Sequence, residues 1–238
     1  MAFDHSSSLS FVEGTFFARL RAAAPDEWAT YVDHPFVHAM ADGTLDPARF
    51  RTFLIQDYLY LLNYARAYAL AVYKSESLDE MRECADIVSA ILNTEMTMHF
   101  SYCDGWGITR AEMEAQPAAP ELMAYCGFIL DRAQAGDLLD LLVALSACLV
   151  GYGEIGLRLT QSKTTVREGN PYYSWMCTYA DTGYQDLVRV GLARLDTVAA
   201  RRGGEARLPE LTRLFATTVR METAFWLAGQ PPMVTGTN

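Results

Sequence analysis

The sequence predicts an all-α protein. Apolar residues recur at helical spacing along most of the 238 residues, and no alternating apolar and polar run is bounded by hairpin turns. Proline, glycine and capping residues divide the chain into roughly seven to ten helical segments. Hydrophobic residues make up 51% of the chain, which is enough for one sizeable core. We therefore expect a single helical domain over residues 11–230, with flexible tails at 1–10 and 231–238.

Pro35 and Gly43 divide the opening of the chain into helical segments. Phe11 to Ala23 and Pro25 to Tyr31 have the pattern of an amphipathic helical segment. Pro35 disfavours helix at the residue before it, so Asp33-His34-Pro35-Phe36 predicts a break in the helical pattern. Asp42-Gly43 then predicts a turn.

Two capping sequences begin the next helices. Asp46 is an acidic N-cap followed by Pro47 at the first helical position, and this helix should continue to Tyr73 or Lys74. Ser77-Leu78-Asp79-Glu80 has the pattern of a capping box. The helix that it opens should continue without interruption to about Gly105.

The remaining helices are separated by proline, glycine and polar residues. They are predicted at Thr109–Glu114, Glu121–Gln134, Leu138–Gln161, Pro171–Tyr179, Tyr184–Ala200 and Leu208–Gly229. The segment Leu138–Gln161 is apolar nearly all round as far as Leu149. Such a pattern is typical of a helix buried at the centre of a fold.

Net charge and cysteine content indicate which partners and which cellular compartment the protein can have. The formal net charge is −10 and the sequence pI is about 4.8, which disfavours nucleic acid and anionic lipid as partners. The N-terminus lacks the basic-then-apolar order of a signal peptide, and polar residues interrupt the apolar stretches. The five cysteines include no C-x-x-C pair, which suits a reducing compartment. We expect a cytoplasmic protein with neither a nucleic-acid nor a membrane partner.

Three helices carry a polar or reactive residue with an aromatic residue three or four positions later. The pairs are Asp57 with Tyr60, Cys148 with Tyr152, and Glu222 with Phe225. This spacing places both members on one helix face, and a carboxylate on an apolar face is costly unless it is hydrogen-bonded or paired.

Each polar residue of these pairs also has a simpler interpretation. A cysteine in a buried helix is most often an inert small hydrophobe. Asp57 could form a salt bridge with Arg51, and Glu222 could be a surface residue near Arg220. Aromatic residues such as Tyr60 and Phe225 are most often part of the core.

The distribution of tyrosines favours a pocket. Tyr58, Tyr60, Tyr64 and Tyr68 crowd one predicted helix, and Tyr172, Tyr173 and Tyr179 crowd another segment. Tyrosine at this density is typical of an aromatic-lined, partly wet pocket rather than a dry core. Small residues surround Cys148 and would allow a helix or a ligand to approach closely; they are Ser146, Ala147, Gly151, Gly153 and Gly156.

Six short strings, in this order, resemble the TenA/thiaminase II family. They are Asp33-His34-Pro35-Phe36 with Asp42-Gly43-Thr44-Leu45; Gln56-Asp57-Tyr58-Leu59-Tyr60-Leu61; Asn93 to His99; Cys148 to Gly156; Asn170-Pro171-Tyr172 with Trp175 and Thr178-Tyr179; and Glu222-Thr223-Ala224-Phe225-Trp226. The resemblance extends from about residue 14 to 229. It implies a heme-oxygenase-like helical fold and a homotetramer.

The resemblance also implies an activity. Members hydrolyse thiamin, or its breakdown product 4-amino-5-aminomethyl-2-methylpyrimidine, to the hydroxymethyl pyrimidine, and neither metal nor other cofactor is expected. Carried over by motif, Cys148 is the nucleophile and Glu222 the acid/base. The substrate-binding residues are then Asp57, Tyr60, Tyr125, Tyr152, Tyr179 and Phe225. The family often has proline before the cysteine, whereas this chain has Ser146-Ala147, which leaves the local helix geometry open.

Three alternatives remain at this point. Glu95, His99, Glu154 and Glu222 can be interpreted as ligands of a di-iron oxidase, although such a site normally uses two histidines. Heme binding would need an axial histidine, and the chain has four histidines. A transcriptional regulator is the non-enzymatic alternative, against which the acidic net charge counts.

Overall fold

A computed structural model describes residues 10–228. The predicted tails at 1–10 and 231–238 lie outside the described residues, apart from Ser10. The described chain contains helices and no strand, so the all-α prediction is confirmed.

Twelve α-helices follow a short 3₁₀ turn at Ser10–Val12 within residues 10–228. They are α1 (Phe16–Ala22), α2 (Pro25–Val32), α3 (Pro35–Ala41), α4 (Pro47–Lys74), α5 (Leu78–Ser89), α6 (Met96–Gly105), α7 (Arg110–Ala115), α8 (Pro120–Ala135), α9 (Leu138–Gln161), α10 (Tyr173–Ala180), α11 (Thr182–Arg201) and α12 (Gly204–Phe225).

Side-chain caps begin the long helices where the sequence predicts. The Asp46 carboxylate accepts a hydrogen bond from the backbone N–H of Ala48 at the start of α4. The Ser77 hydroxyl does the same for the backbone N–H of Glu80 at the start of α5. Each cap satisfies an N–H that has no partner within its own helix.

Three segments differ from the prediction. The break predicted just before Pro35 is present, between α2 and α3, but helix α3 itself was not predicted. It begins there because His34 Nδ1 accepts from the backbone N–H of Phe36 and Pro35 occupies the first helical position. The opening segment is divided at Gly14, which has a φ of 81°. The helix predicted from Ser77 to Gly105 is not uniform, since a π-helical segment at Ala90–Glu95 separates α5 from α6.

Helix α9 lies at the centre of the core and packs against α8, α10, α11 and α12. It is long and apolar enough to cross a membrane, but 89% of its most apolar window is buried inside the fold. Its composition therefore reflects a core position, as predicted.

Two of the family-like strings pack against each other away from α9. The amide Nδ2 of Asn170 donates to the backbone carbonyls of Met40 (2.9 Å) and Ala41 (3.2 Å), and the Tyr172 hydroxyl donates to the carbonyl of Leu45. Gly43, with φ +71°, lies directly against the Asn170 side chain. These contacts fix the α3–α4 turn, and they give Gly43, Asn170 and Tyr172 a structural role.

Candidate active site

A cavity of ≈ 1080 Å³ lies between α4, α5, the π-helical segment, α9, α10 and α11. Five of the predicted site residues line it: Asp57, Tyr60, Cys148, Tyr152 and Tyr179. Glu222, Tyr125 and Phe225 are buried and are not among its lining residues, but Glu222 and Tyr125 lie next to Cys148 and Tyr60 on its wall. The structure thus divides the predicted set into a cavity surface and a layer that supports it.

Cys148 is placed on the cavity wall by α9 and is partly exposed to the cavity. Burial raises the pKa of its thiol well above the usual value, and the negative charge of Glu222 raises it further. The Tyr60 hydroxyl, which is a hydrogen-bond donor to the sulfur, lowers the pKa. The resting group is therefore a thiol, and its proton must be removed before or during any attack by sulfur.

Glu222 lies on α12 and is 2% exposed, so the interpretation of it as a surface residue near Arg220 is wrong. The Tyr125 hydroxyl donates to Glu222 Oε1 at 2.5 Å. Burial raises the pKa of the Glu222 carboxyl to about 7, and the neighbouring donors Tyr125, Tyr31 and Cys148 oppose this shift. A carboxyl of this kind is available in both protonation states near neutral pH.

The aromatic layer behind the wall fixes Tyr60. The rings of Tyr60 and Tyr125 stack at 5.1 Å and 22°, and their hydroxyls lie 3.3 Å apart. Phe225 packs against Tyr60 at 5.9 Å and against Phe53 at 5.8 Å. Tyr125 therefore holds both Tyr60 and Glu222 in place, and Phe225 packs against Tyr60.

Asp57 lies on the cavity floor, 7% exposed, and its partner is His99 rather than Arg51. The His99 ring places Nδ1 3.6 Å from Asp57 Oδ2 and Nε2 3.0 Å from the carbonyl of Leu54. Nε2 must carry the proton to donate to that carbonyl, so Nδ1 faces Asp57 as an acceptor. Burial lowers the pKa of His99 to about 4, and burial with the nearby charge of Glu95 raises the pKa of Asp57 well above its usual range.

Aromatic side chains close the opposite wall. Tyr152 packs against Tyr179 at 5.0 Å, and Trp175 packs against both. Gly156 allows α10 to approach, because a Cβ there would lie 2.7 Å from the backbone carbonyl carbon of Tyr179. The cavity therefore combines flat aromatic faces with a thiol and a carboxyl, which suits a small aromatic heterocycle.

Comparison with known proteins places this arrangement in a family. Residues 21–230 match the TENA/THI-4/PQQC family model. The chain is 35% identical over 213 residues to an aminopyrimidine aminohydrolase from Halalkalibacterium halodurans, a match that covers 89% of this chain and 94% of the relative. This chain belongs to the TENA/THI-4/PQQC family.

Solved structures agree with the TenA family and with its fold. A TenA family transcription regulator from Silicibacter aligns with a TM-score of 0.85 and 36% identity, over 92% of this chain and 97% of the other. A Shewanella denitrificans domain of unknown function with a heme oxygenase-like fold aligns with a TM-score of 0.70 and 14% identity, over 88% of this chain and 90% of the other. The predicted heme-oxygenase-like fold is confirmed.

The four residues considered as di-iron ligands, Glu95, His99, Glu154 and Glu222, do not form one cluster in the structure. Glu154 lies apart from the cavity lining and accepts from the Trp28 indole at 3.1 Å, with Arg21 at 3.2 Å and Arg158 at 3.8 Å. In the described part of the chain, no group of three or more histidine, cysteine, aspartate or glutamate side chains is arranged to hold a metal. The cationic partners of Glu154 explain its burial without a metal.

Sequence reasoning missed Tyr31 and the position of Glu95 on the cavity surface. Tyr31 is fully buried near Glu222, and its ring occupies the space that a Cβ on Gly151 would need. Gly151, within the cysteine string, was the available signal, but it does not identify the residue that fills the space. Glu95 lines the cavity from the π-helical segment, which the sequence pattern did not reveal.

Proposed function

We propose that this TenA-family chain is an aminopyrimidine aminohydrolase of the thiaminase II type. It releases 4-amino-5-hydroxymethyl-2-methylpyrimidine from the aminomethyl pyrimidine or from thiamin, by nucleophilic attack of Cys148. The named activity of the Halalkalibacterium relative supports the reaction. The observation that carries the mechanism is the Cys148 thiol on the cavity wall, with Tyr60 and Glu222 as its polar neighbours.

The first step joins sulfur to the pyrimidine ring. Glu222 in its protonated form gives a proton to a ring nitrogen as the S–C bond forms, and the thiol proton replaces the one that Glu222 has lost. The ring electron pair moves to that nitrogen, so atoms and charge balance. The loss of ring aromaticity then allows the leaving group on the exocyclic carbon to depart. After water has added its hydroxyl to that carbon, the S–C bond breaks and its electron pair returns to sulfur. The ring nitrogen gives its proton back through Glu222 to the sulfur, which restores the aromatic ring and the Cys148 thiol. The raised pKa of Glu222 keeps the protonated form available near neutral pH.

Asp57 orients the substrate in this scheme. An aminopyrimidine edge presents a ring-nitrogen acceptor beside an amino donor. A carboxyl with a raised pKa matches that edge, because it can donate through its O–H and accept through its carbonyl oxygen.

The tyrosines hold the ring and keep the nucleophile in position. Tyr152 and Tyr179 offer aromatic faces at the cavity surface, while Tyr60 donates to the Cys148 sulfur. Tyr60 keeps its proton, because burial raises its pKa well above the usual value. The stacked Tyr125 prevents the Tyr60 ring from rotating away.

The wider cellular assignments belong to the same proposal. We expect a cytoplasmic homotetramer with a small-molecule substrate and no nucleic-acid or membrane partner. The net charge of −10 and the exposed free thiol of Cys177 support a soluble protein in a reducing compartment.

Product release tests the proposed function. The purified chain is incubated separately with thiamin and with the aminomethyl pyrimidine, and the hydroxymethyl pyrimidine is quantified by chromatography. We expect catalytic release from at least one of them. Release from neither compound above the rate without protein would contradict the proposal.

A further inference from the structure

Glu95 is the last residue of the π-helical segment Ala90–Glu95, which interrupts the helical run from α5 to α6. A π-helical segment changes the direction of the side chains around it, and such segments are frequent at functional sites. Here Glu95 and Thr94 line the cavity, and His99 follows one turn later. The irregular segment therefore brings a carboxyl to the same cavity as Cys148.

The Glu95 carboxyl has no hydrogen-bond or ion-pair partner among residues 10–228, and its side chain is half-buried on the cavity surface. Burial raises its pKa to about 7, and no cation opposes the shift. Its negative charge raises the pKa of Asp57 and of Cys148, so it lies within electrostatic range of both. A half-buried carboxyl without a protein partner is available to a polar ligand in the cavity.

Glu95 and Glu222 occupy different sides of the reaction centre. Glu222 lies next to the Cys148 thiol, and the Tyr125 hydroxyl donates to its carboxyl group. Glu95 lies on the cavity surface, where a leaving group and water have access. Glu222 is thus close to the sulfur and the ring that it attacks, whereas Glu95 can reach the leaving group.

We infer that Glu95 is a second catalytic acid, which protonates the leaving amine. This inference rests on the proposed hydrolysis. As the C–N bond breaks, its electron pair goes to nitrogen, and the proton from Glu95 converts the amino group to ammonia. Water then adds its hydroxyl to the exocyclic carbon and returns a proton to Glu95. The amine and water become alcohol and ammonia, and Glu95 ends in its starting state.

Thiamin gives this inference a discriminating test. Its thiazolium nitrogen already carries a positive charge, so the thiazole departs with the electron pair and needs no proton. Turnover of both compounds is measured for the unmodified chain, Glu95→Gln and Glu222→Gln. We expect Glu95→Gln to lower kcat for the aminomethyl pyrimidine about a hundredfold, and for thiamin by less than about tenfold. Glu222→Gln should lower both, because the ring step is common to them.

Glu83→Gln is the matched control, since Glu83 lines the outer part of the cavity and pairs with Arg194. It removes one cavity charge and should leave the ratio of the two kcat values unchanged. Equal losses for both substrates in Glu95→Gln, or no loss with the amine, would overturn the inference. If the proposed hydrolysis itself were wrong, the unmodified chain would release no product from either compound, so the two failures can be told apart.

Discussion

Glu154 and Glu222 are buried carboxylates on the packed helices α9 and α12, 7% and 2% exposed, but their surroundings are opposite. Glu154 is held by the guanidinium groups of Arg21 and Arg158 and by the indole of Trp28. Glu222 has only neutral donors, and burial raises its pKa to about 7. Burial of a carboxylate is therefore not itself a sign of catalysis. The charge of the partners separates a structural carboxylate from a reactive one.

The same distinction applies to the two regions around these residues. Around Glu154, charged side chains are paired and join α2 to α9. Around Glu222, a thiol, tyrosine hydroxyls and carboxyls share one space without a cation. We expect substitutions in the first region to change stability and substitutions in the second to change turnover.

Removal of the nucleophile should have the largest effect. Cys148→Ala is expected to lower product release at least about a thousandfold, because Cys148 is the one cysteine among the described residues that line the cavity. The melting temperature should stay close to that of the unmodified chain. Cys177→Ser is the control, since Cys177 is exposed and outside the cavity lining, and it should retain full turnover. Normal turnover in Cys148→Ala would remove the cysteine from the mechanism.

The matched pair of glutamate substitutions tests the comparison itself. Glu222→Gln should lower kcat by about a hundredfold or more, since glutamine cannot transfer a proton. Glu154→Gln should lower kcat by less than about threefold, because Glu154 lies outside the cavity lining. Steady-state kinetics of the two variants give the answer, and the reverse order of effects would break the comparison.

For stability we expect the opposite ranking, with Glu154→Gln more destabilising than Glu222→Gln. Glu154→Gln leaves Arg21 and Arg158 without their shared carboxylate, at a cost of about 2 kcal/mol in the free energy of unfolding. A chain of this size should then melt about 5 °C lower. Calorimetry of both variants measures this, and an equal or larger decrease for Glu222→Gln would contradict the assignment.

Asp57→Asn should produce a moderate loss of binding. The amide can still meet the pyrimidine edge, but not with a hydroxyl donor, so we expect about tenfold weaker binding of the hydroxymethyl pyrimidine. Asp140→Asn is the control, since Asp140 is equally buried at 7% but caps α9 and pairs with Arg207. Calorimetric titration should show unchanged affinity for this control. Unchanged affinity in Asp57→Asn would mean that Asp57 does not contact the ligand.

The raised pKa of Glu222 also predicts how stability depends on pH. The folded pKa of Glu222 is about 7, above its usual 4.5, so the folded state binds more protons than the unfolded state between these values. This contribution is fully present below pH 4.5 and is lost as the pH rises through 7. Glu222→Gln should therefore lose less stability than the unmodified chain between pH 5 and pH 8, as measured by denaturant unfolding. Parallel curves for the two proteins would contradict the raised pKa.

Much of the fold could be predicted from the sequence because its signals are local. The Asp46-Pro47 cap, the Ser77 cap and the apolar α9 specify their elements within a few residues. Helix α3 was missed because Pro35 both breaks and begins helices. The π-helical segment at Ala90–Glu95 was missed because apolar spacing does not reveal an added residue in a helical turn.

The candidate site was predictable only in part. Cys148, Asp57 and Glu222 were recognisable by residue type and spacing. The division between the cavity surface and the supporting layer was not, because it depends on how α12 and α8 pack behind α9. Nor could the sequence show that arginines surround Glu154 and not Glu222, since Arg21 and Glu154 are far apart along the chain.

The pH–rate profile with thiamin tests the central claim most directly, because the thiazole departs without a proton and the ring step remains. The kcat/KM of the unmodified chain and of Glu154→Gln should fall as the pH rises above about 7, as Glu222 loses its proton. In Glu222→Gln, the residual rate should lack this decrease. If Glu222→Gln instead keeps near-normal rates with the same decrease above pH 7, then Glu222 is not the proton donor and the distinction between the two carboxylates fails.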